Sequence, residues 1–454
     1  MHKPHIFRQY DIRGVYQTDF DLEFASQLGH AYGSYLINTI GKGNPLVTVG
    51  YDARLSSPDI AQALEQGFTK SGCKVLNLGL ITTPMSYFSM FHCEADGGIM
   101  VTGSHNPPEY NGFKISKGRT TIFGEEIQKL RIHLEENNWK TGSGSMESLS
   151  ISTAYIDRYK KEFTDPLDIP CVLDCGNGAA GAIVRKMYEA CGVNPEILFE
   201  EPDGTFPNHH PDPTVEKNTE DLKKKVLANK AAIGIGFDGD ADRIGVVDET
   251  GRFILGDEIM IAVARNILQQ NPGATIVGDV KCSDRLYDDI VKHGGKPVMW
   301  KTGHSLIKNK IKELSCPFGG ELSGHIFFSD RNYGYDDAPY AGLRLLEILK
   351  NSKLKFSELL KDVPKSFSTP EIRLDTTETK KVSIVENLVD FFKKDSRKLS
   401  TNYIDGVRVS YHDGWALARS SNTQPVITLR FESQSEEGLD RIQKEFMGIV
   451  ESLL

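Results

Sequence analysis

Short apolar runs alternate with stretches of helical periodicity over roughly the first 350 residues. Residues 46–50 (Leu-Val-Thr-Val-Gly) have the apolar density of a buried strand. Ser57-Pro58 opens the next stretch, where Ile60, Ala63, Leu64 and Phe68 fall on one helical face, and residues 73–78 return to strand character. The same order recurs from 170–173 into 182–191, and from 275–280 into 286–293. This repetition predicts α/β domains with largely parallel sheets.

Roughly the last 90 residues change pattern. Residues 363–370 (Val-Pro-Lys-Ser-Phe-Ser-Thr-Pro) read as a linker, and 380–394 as an amphipathic helix. Residues 403–411, 414–419 and 425–431 look like strands of an antiparallel sheet. A helix over 437–454 closes the chain, with Leu439, Ile442, Phe446, Ile449 and Val450 on one face. An α+β module is expected here.

Composition narrows the class. The chain has 454 residues, a length that predicts about three domains. With 39% hydrophobic and 25% charged residues it has a globular, soluble composition. Its 53 basic against 62 acidic side chains give a net charge of −9, which argues against nucleic acid as a partner. No apolar run approaches the roughly 20 residues of a membrane span, and residues 1–5 contain no apolar h-region. Seven cysteines without a Cys-x-x-Cys pair read as reduced thiols, so a cytoplasmic protein is expected.

Four segments carry candidate chemistry. Thr102-Gly103-Ser104-His105-Asn106-Pro107-Pro108 follows an apolar strand and forms a rigid turn where open α/β sheets place their sites. Ser104 is a candidate nucleophile there, with His105 adjacent and Lys114 ten residues on. Asp238-Gly239-Asp240-Ala241-Asp242-Arg243 puts three carboxylates at alternate positions, which repel one another without a cation among them. An EF-hand is rejected because Arg243 stands where that loop needs glycine; a hard divalent ion, Mg²⁺, is the better reading. Gly319-Gly320-Glu321-Leu322-Ser323-Gly324-His325 suits a hydroxylated ligand. Arg419-Ser420-Ser421-Asn422-Thr423-Gln424-Pro425 has the donors of a phosphate nest. Spread along the chain, the four segments fit several domains that each lend one loop to a common cleft.

These residues resemble the α-D-phosphohexomutase superfamily, and within it the bacterial phosphomannomutase/phosphoglucomutase branch. Further matching motifs are Phe7–Gly14, with Tyr10 and Arg13, then Asp279-Val280-Lys281 and Lys301-Thr302-Gly303-His304. The resemblance implies a four-domain, heart-shaped fold: three related mixed α/β domains and a mobile C-terminal α+β domain. It sets boundaries at 1–150, 151–252, 253–364 and 365–454. It implies that Ser104 carries a phosphoryl group and that Ser104, Asp238, Asp240 and Asp242 bind Mg²⁺.

The implied activity is interconversion of hexose 6-phosphate and hexose 1-phosphate, mannose or glucose, through a hexose 1,6-bisphosphate (glucose 1,6-bisphosphate) intermediate. A phosphoserine adds about −1.5 to −2 charge, which calls for both Mg²⁺ and Arg243. Lys114, His105 and His325 are alternatives for acid and base. Arg419, Ser421, Asn422 and Thr423 would hold the non-reacting phosphate. Tyr10, Arg13, Lys281 and His304 resemble ligand contacts, and Glu321 and Ser323 sugar-hydroxyl contacts. Leu322 matches the dual mannose/glucose enzymes, whereas phosphoglucosamine mutases, the runner-up, usually have Gln there. Gln424 departs from the more usual acidic residue or Thr. A phosphosugar sensor without catalysis and a metal-dependent phosphoserine hydrolase are the other classes weighed. Partners are expected to be small hexose phosphates, with no membrane and a monomeric chain.

Overall fold

The computed structural model describes residues 3–397, 399–422 and 424–453. Among these residues, four sheets of seven, five, four and six strands follow one another along the chain. They begin at Ile12–Val15, Cys171–Asp174, Thr275–Asp279 and Phe367–Ser368. Helices start where the chain supplies caps. Ser57–Ser71 has Pro58 in its first turn and stops at Gly72, whose φ of 99° is open to glycine. Ala338–Ser352 starts at Asp337, whose carboxylate accepts from the Tyr340 N–H.

The first three sheets are mixed rather than largely parallel. Gly97–Val101 runs parallel to Leu46–Tyr51, but Tyr110–Lys117 returns antiparallel to it. Ile233–Phe237 is parallel to Cys171–Asp174 and antiparallel to Ile244–Asp248. Phe318–Gly320 is parallel to Thr275–Asp279 and antiparallel to Ile326–Phe328. The cause is loop length, since a few residues can reverse a strand only into an antiparallel neighbour. The chemistry-bearing segments 102–109, 238–243 and 321–325 are those reversals.

The fourth sheet is antiparallel throughout, and its loop 421–425 likewise joins neighbours, Gly414–Ser420 and Val426–Ser433. Two local readings change here. Phe367–Ser368, expected in a linker, pairs with the edge of Val426–Ser433. Tyr403 lies outside a strand, because Gly406 at φ 79° turns the chain between Ser400–Asn402 and Val407–Tyr411.

One large apolar cluster runs from Leu76 to Leu360 and joins the first three domains. The C-terminal domain keeps its own core, with Ile384, Leu388, Leu429 and Phe446. Its seam with the third domain is largely polar. Arg408 donates to Asp284 Oδ1 at 2.7 Å while its guanidinium lies 3.7 Å from the Trp415 ring centre. Ser283 Oγ donates to Glu432 Oε1 at 2.5 Å, and Arg430 donates to the Lys281 carbonyl. A small apolar group, Val280, Trp415 and Leu417, completes it. Among the described residues no helix is long and apolar enough to cross a membrane, and the seven cysteines are unpaired with one another.

Asp337 also couples segments far apart in sequence, accepting from Tyr155 Oη at 2.9 Å and Tyr159 Oη at 2.5 Å. Burial pushes its carboxyl up from an ordinary 3.8 to about 6. An acid with a raised folded pKa binds its proton more tightly when folded, so stability falls as pH rises from 3.8 through 6. The whole effect is about 3 kcal/mol. Urea denaturation should therefore show Asp337→Asn gaining about 2 kcal/mol relative to wild type between pH 4.5 and pH 7. Parallel pH profiles would show that Asp337 is not the titrating group.

Candidate active site

The first reversal presents Ser104. Its φ of 51° is left-handed, a costly conformation for a side-chain-bearing residue that the surroundings must enforce. Arg54, with no side-chain exposure, enforces it. The guanidinium donates to the carbonyls of Ser104 at 2.8 Å, Asn106 at 2.5 Å, Pro107 at 2.5 Å and Tyr110 at 3.0 Å. Asp52 completes the frame by accepting from Arg54 Nε and from the Gly103 N–H. Gly239 must be glycine, because a Cβ there would come within 2.5 Å of the Ser104 carbonyl.

That close approach brings the acidic reversal under the serine. Ser104 Oγ donates to Asp238 Oδ2 at 2.9 Å and lies 3.1 Å from His105 Nδ1. Asp238 Oδ1 accepts from the Asp242 and Arg243 N–H groups. Lys114 donates to Asp240 Oδ2 at 2.6 Å and to Asp242 Oδ2, while Thr83 Oγ donates to Asp240 at 2.5 Å. Burial opposes the Lys114 charge, but Asp240 and Asp242 outweigh it and hold its pKa above the ordinary lysine value. Burial likewise opposes ionisation of Asp240, and Lys114 holds it below the usual carboxylate range. At Asp238 the balance reverses: burial, then Asp240 and Asp242, outweigh Arg243 and Lys114 and push its carboxyl well up.

The three carboxylates fit a divalent cation. One oxygen from each lies within 4.8 Å of the others, and among the described residues Asp240 Oδ1 and Asp242 Oδ1 are buried without a hydrogen-bond partner. Hard cations take such oxygen ligands.

His325, on the third reversal, faces this cluster. Arg243 Nε donates to its Nε2 at 3.0 Å, and its Nδ1 lies 2.9 Å from Asp336 Oδ2. Burial, then the Arg243 and Arg13 charges, hold His105 well below the usual imidazole value. Arg13 donates to Asn106 Oδ1 at 2.8 Å and to Asp11 at 2.5 Å, bracing the serine loop from the N-terminal strand.

A second group of residues gathers around Arg419. Its Nε donates to Asp405 Oδ2 at 2.8 Å, and its Nη2 is buried with no partner among the described residues. Asp405 also accepts from the Thr302 N–H, and Tyr10 Oη donates to the Thr302 carbonyl at 2.6 Å. Asn422 donates to Tyr10 Oη. Glu321 accepts from the Gly303 N–H at 2.6 Å, and burial raises its carboxyl pKa. Lys281 lies 3.4 Å from Glu371. Rings link the two groups: Tyr10 to His304 at 5.6 Å, and His304 to His325 at 5.4 Å. Ser323 is half-buried on the Glu321 loop, and Ser421 Oγ accepts from the Gln424 N–H. Thr423 lies outside the described residues. The Gln424 side chain accepts from Arg373 at 3.4 Å.

Reading the chain by motif missed Arg54, Thr83, Asp336 and Asp405. Arg54 had one usable signal: it follows Leu46–Tyr51 at the strand end where such sheets build sites.

Comparison with known proteins matches four segments to family descriptions. These are phosphoglucomutase/phosphomannomutase alpha/beta/alpha domain I (4–140), domain II (153–251), domain III (255–367) and the C-terminal domain (371–449). A phosphomannomutase/phosphoglucomutase of Pseudomonas aeruginosa is 44% identical over 441 residues, 97% of this chain and 94% of that protein. A phosphoglucomutase of Neisseria gonorrhoeae is 41% identical over 451 residues, 98% of this chain and 97% of that one. The crystal structure of a family protein from Burkholderia thailandensis superposes with a TM-score of 0.91 at 41% identity, covering 100% of this chain and 98% of that one.

If Arg54 holds the serine loop, Arg54→Lys should loosen it, because one ammonium cannot span four carbonyls. Hydrogen exchange should speed up at least about tenfold over residues 102–112 and stay unchanged in the C-terminal domain. Unaltered exchange in the loop would remove Arg54 from this role.

Proposed function

The chain belongs to the phosphoglucomutase/phosphomannomutase family, and on that premise we propose how its own residues interconvert hexose 6-phosphate and hexose 1-phosphate of mannose or glucose. The observation that carries the reading is Ser104 Oγ, held by its loop over three buried carboxylates and bonded to one of them.

In this reading Ser104 carries a phosphoryl group between turnovers. A sugar hydroxyl attacks phosphorus, the P–Oγ bond breaks, and the proton of the hydroxyl passes to a base. The product of that half-reaction is a hexose 1,6-bisphosphate. It turns over in the cleft, and its other phosphate returns to Ser104 by the reverse steps. Lys114, His105 and His325 are the groups at hand for the base that takes the hydroxyl proton and the acid that returns it. Asp238, Asp240, Asp242 and the Ser104 phosphate would hold Mg²⁺, which when bound offsets phosphoryl charge. Arg419 Nη2, with Ser421, Asn422 and Thr423, receives the phosphate that is not reacting. Tyr10, Arg13, Lys281 and His304 line the ligand's path, and Glu321 and Ser323 take sugar hydroxyls. Domain boundaries at 1–150, 151–252, 253–364 and 365–454, a monomeric chain and a cytoplasmic location complete the proposal, the last in keeping with seven unpaired thiols.

Mass spectrometry should find phosphate on Ser104 in a fraction of purified molecules. Ser104→Ala should lower turnover by about 10³-fold or more while circular dichroism stays unchanged. Full activity in that variant would refute the phosphoryl-carrier role.

Chelation should silence the enzyme and Mg²⁺ restore it, with little inorganic phosphate released in either state. Steady phosphate release at the rate of turnover would instead identify a hydrolase.

Leu322 offers neither donor nor acceptor to a polar 2-substituent. Coupled assays should therefore give higher kcat/KM for mannose 1-phosphate and glucose 1-phosphate than for glucosamine 1-phosphate. The opposite order would assign the chain to phosphoglucosamine.

A further inference from the structure

A cavity of about 800 Å³ lies between the first and third domains, and nothing in the reaction above uses it. Its size is that of a small-molecule site, about 300–1,000 Å³. Helix Thr83–His92, the hairpin around Arg119 and helix His304–Leu314 supply most of the wall. Among the described residues, the lining holds three cationic side chains, Arg119, Lys308 and Lys312, and no aspartate or glutamate. For a chain of net charge −9 this is a local reversal of sign. Aromatic rings alternate with the cations. Phe91 stacks on Tyr333 at 4.3 Å, with the Arg119 guanidinium 5.2 Å from its centre. Lys308 Nζ sits 4.1 Å from the centre of the Tyr87 ring. The Tyr87 hydroxyl is buried and has no hydrogen-bond partner among the described residues.

Lys308 faces two ways. It lines the cavity, and it donates to Asp336 Oδ1 at 3.0 Å. Asp336 Oδ2 lies 2.9 Å from His325 Nδ1, and His325 Nε2 accepts from Arg243. A single side chain therefore separates the cavity from the carboxylate that lies 2.9 Å from the His325 imidazole.

We propose that this cavity is a second ligand site, for an anion that joins a planar ring to phosphate as a nucleoside phosphate does, and that Lys308 reports its occupancy to His325. Rings and cations meet the two halves of such a ligand. Its phosphate competes with Asp336 for the Lys308 ammonium. Asp336 then loses the contact that fixes it, His325 loses its orientation, and turnover falls. A ligand can act this way only by binding the two states of Lys308 unequally, and the competition supplies that difference. The effect on turnover rests on the proposed mutase reading; the binding does not.

Calorimetry with ADP, GDP or UDP tests binding in wild-type protein whose catalytic site is first saturated with glucose 1,6-bisphosphate. One further site is expected for at least one of these probes, with adenosine or inorganic phosphate alone binding at least about tenfold more weakly. The double variant Arg119→Glu/Lys312→Glu should weaken that binding about tenfold or more and keep turnover without nucleotide within about twofold. Nucleotide should lower wild-type kcat more than it raises KM, and Lys308→Met should abolish that response. No heat with any of the three probes, equal binding to the double variant, or phosphate alone binding as tightly would overturn the site. Binding without any change in kcat would overturn the coupling. Binding as expected in a protein that turns over no hexose phosphate would leave the site standing and remove the mutase reading instead.

Discussion

Three carboxylates share a buried space, and the site is organised around that repulsion. Unit charges about 4 Å apart repel by about 4 kcal/mol at an effective dielectric of 20, too much to leave unanswered in a folded domain. The answers come from elsewhere in the chain. Lys114 and Thr83 belong to the first sheet and its helices, whereas Asp240 and Asp242 belong to the second. The second domain thus reaches charge balance only when the first is docked against it. Asp238, left with backbone N–H groups and one serine hydroxyl, is where the balance stays incomplete and where a cation has most to gain.

Geometry supplies the rest. Each of the first three sheets runs parallel until its chain meets a short reversal, and each reversal carries polar side chains at the strand's C-terminal end. A hairpin connection is stiff, because both of its ends are tied to ladder hydrogen bonds. Ser104, Asp238 and Glu321 are consequently placed by sheet register rather than by loop conformation alone. The C-terminal sheet repeats the arrangement, with Arg419 just before its own reversal and Asn422 within it.

Much of this was legible in the residues. Acidic, glycine-rich and Arg-Ser-Ser-Asn segments advertise their chemistry, and the structure brings Ser104, Lys114 and the three aspartates into contact. Arg54 was not legible, since its partners are four backbone carbonyls, which every residue has. Asp336 was hidden beside Asp337, whose helix cap accounts for an acidic pair at that point without any site. Asp405 reads as a turn residue before Gly406. Sheet direction was missed for a related reason: a strand buried on both faces has the same apolar run whether its neighbour is parallel or antiparallel.

The seam between the third and fourth domains can be wetted at little cost. Its guanidiniums, carboxylates and carbonyls would exchange each other for water on parting, and the apolar surface newly exposed would centre on the small group at Val280, Trp415 and Leu417 with Met299 and Ile404 against it. The large apolar cores stay closed on either side. Were that seam to part, it would present little sticky surface to neighbours in a crowded solution.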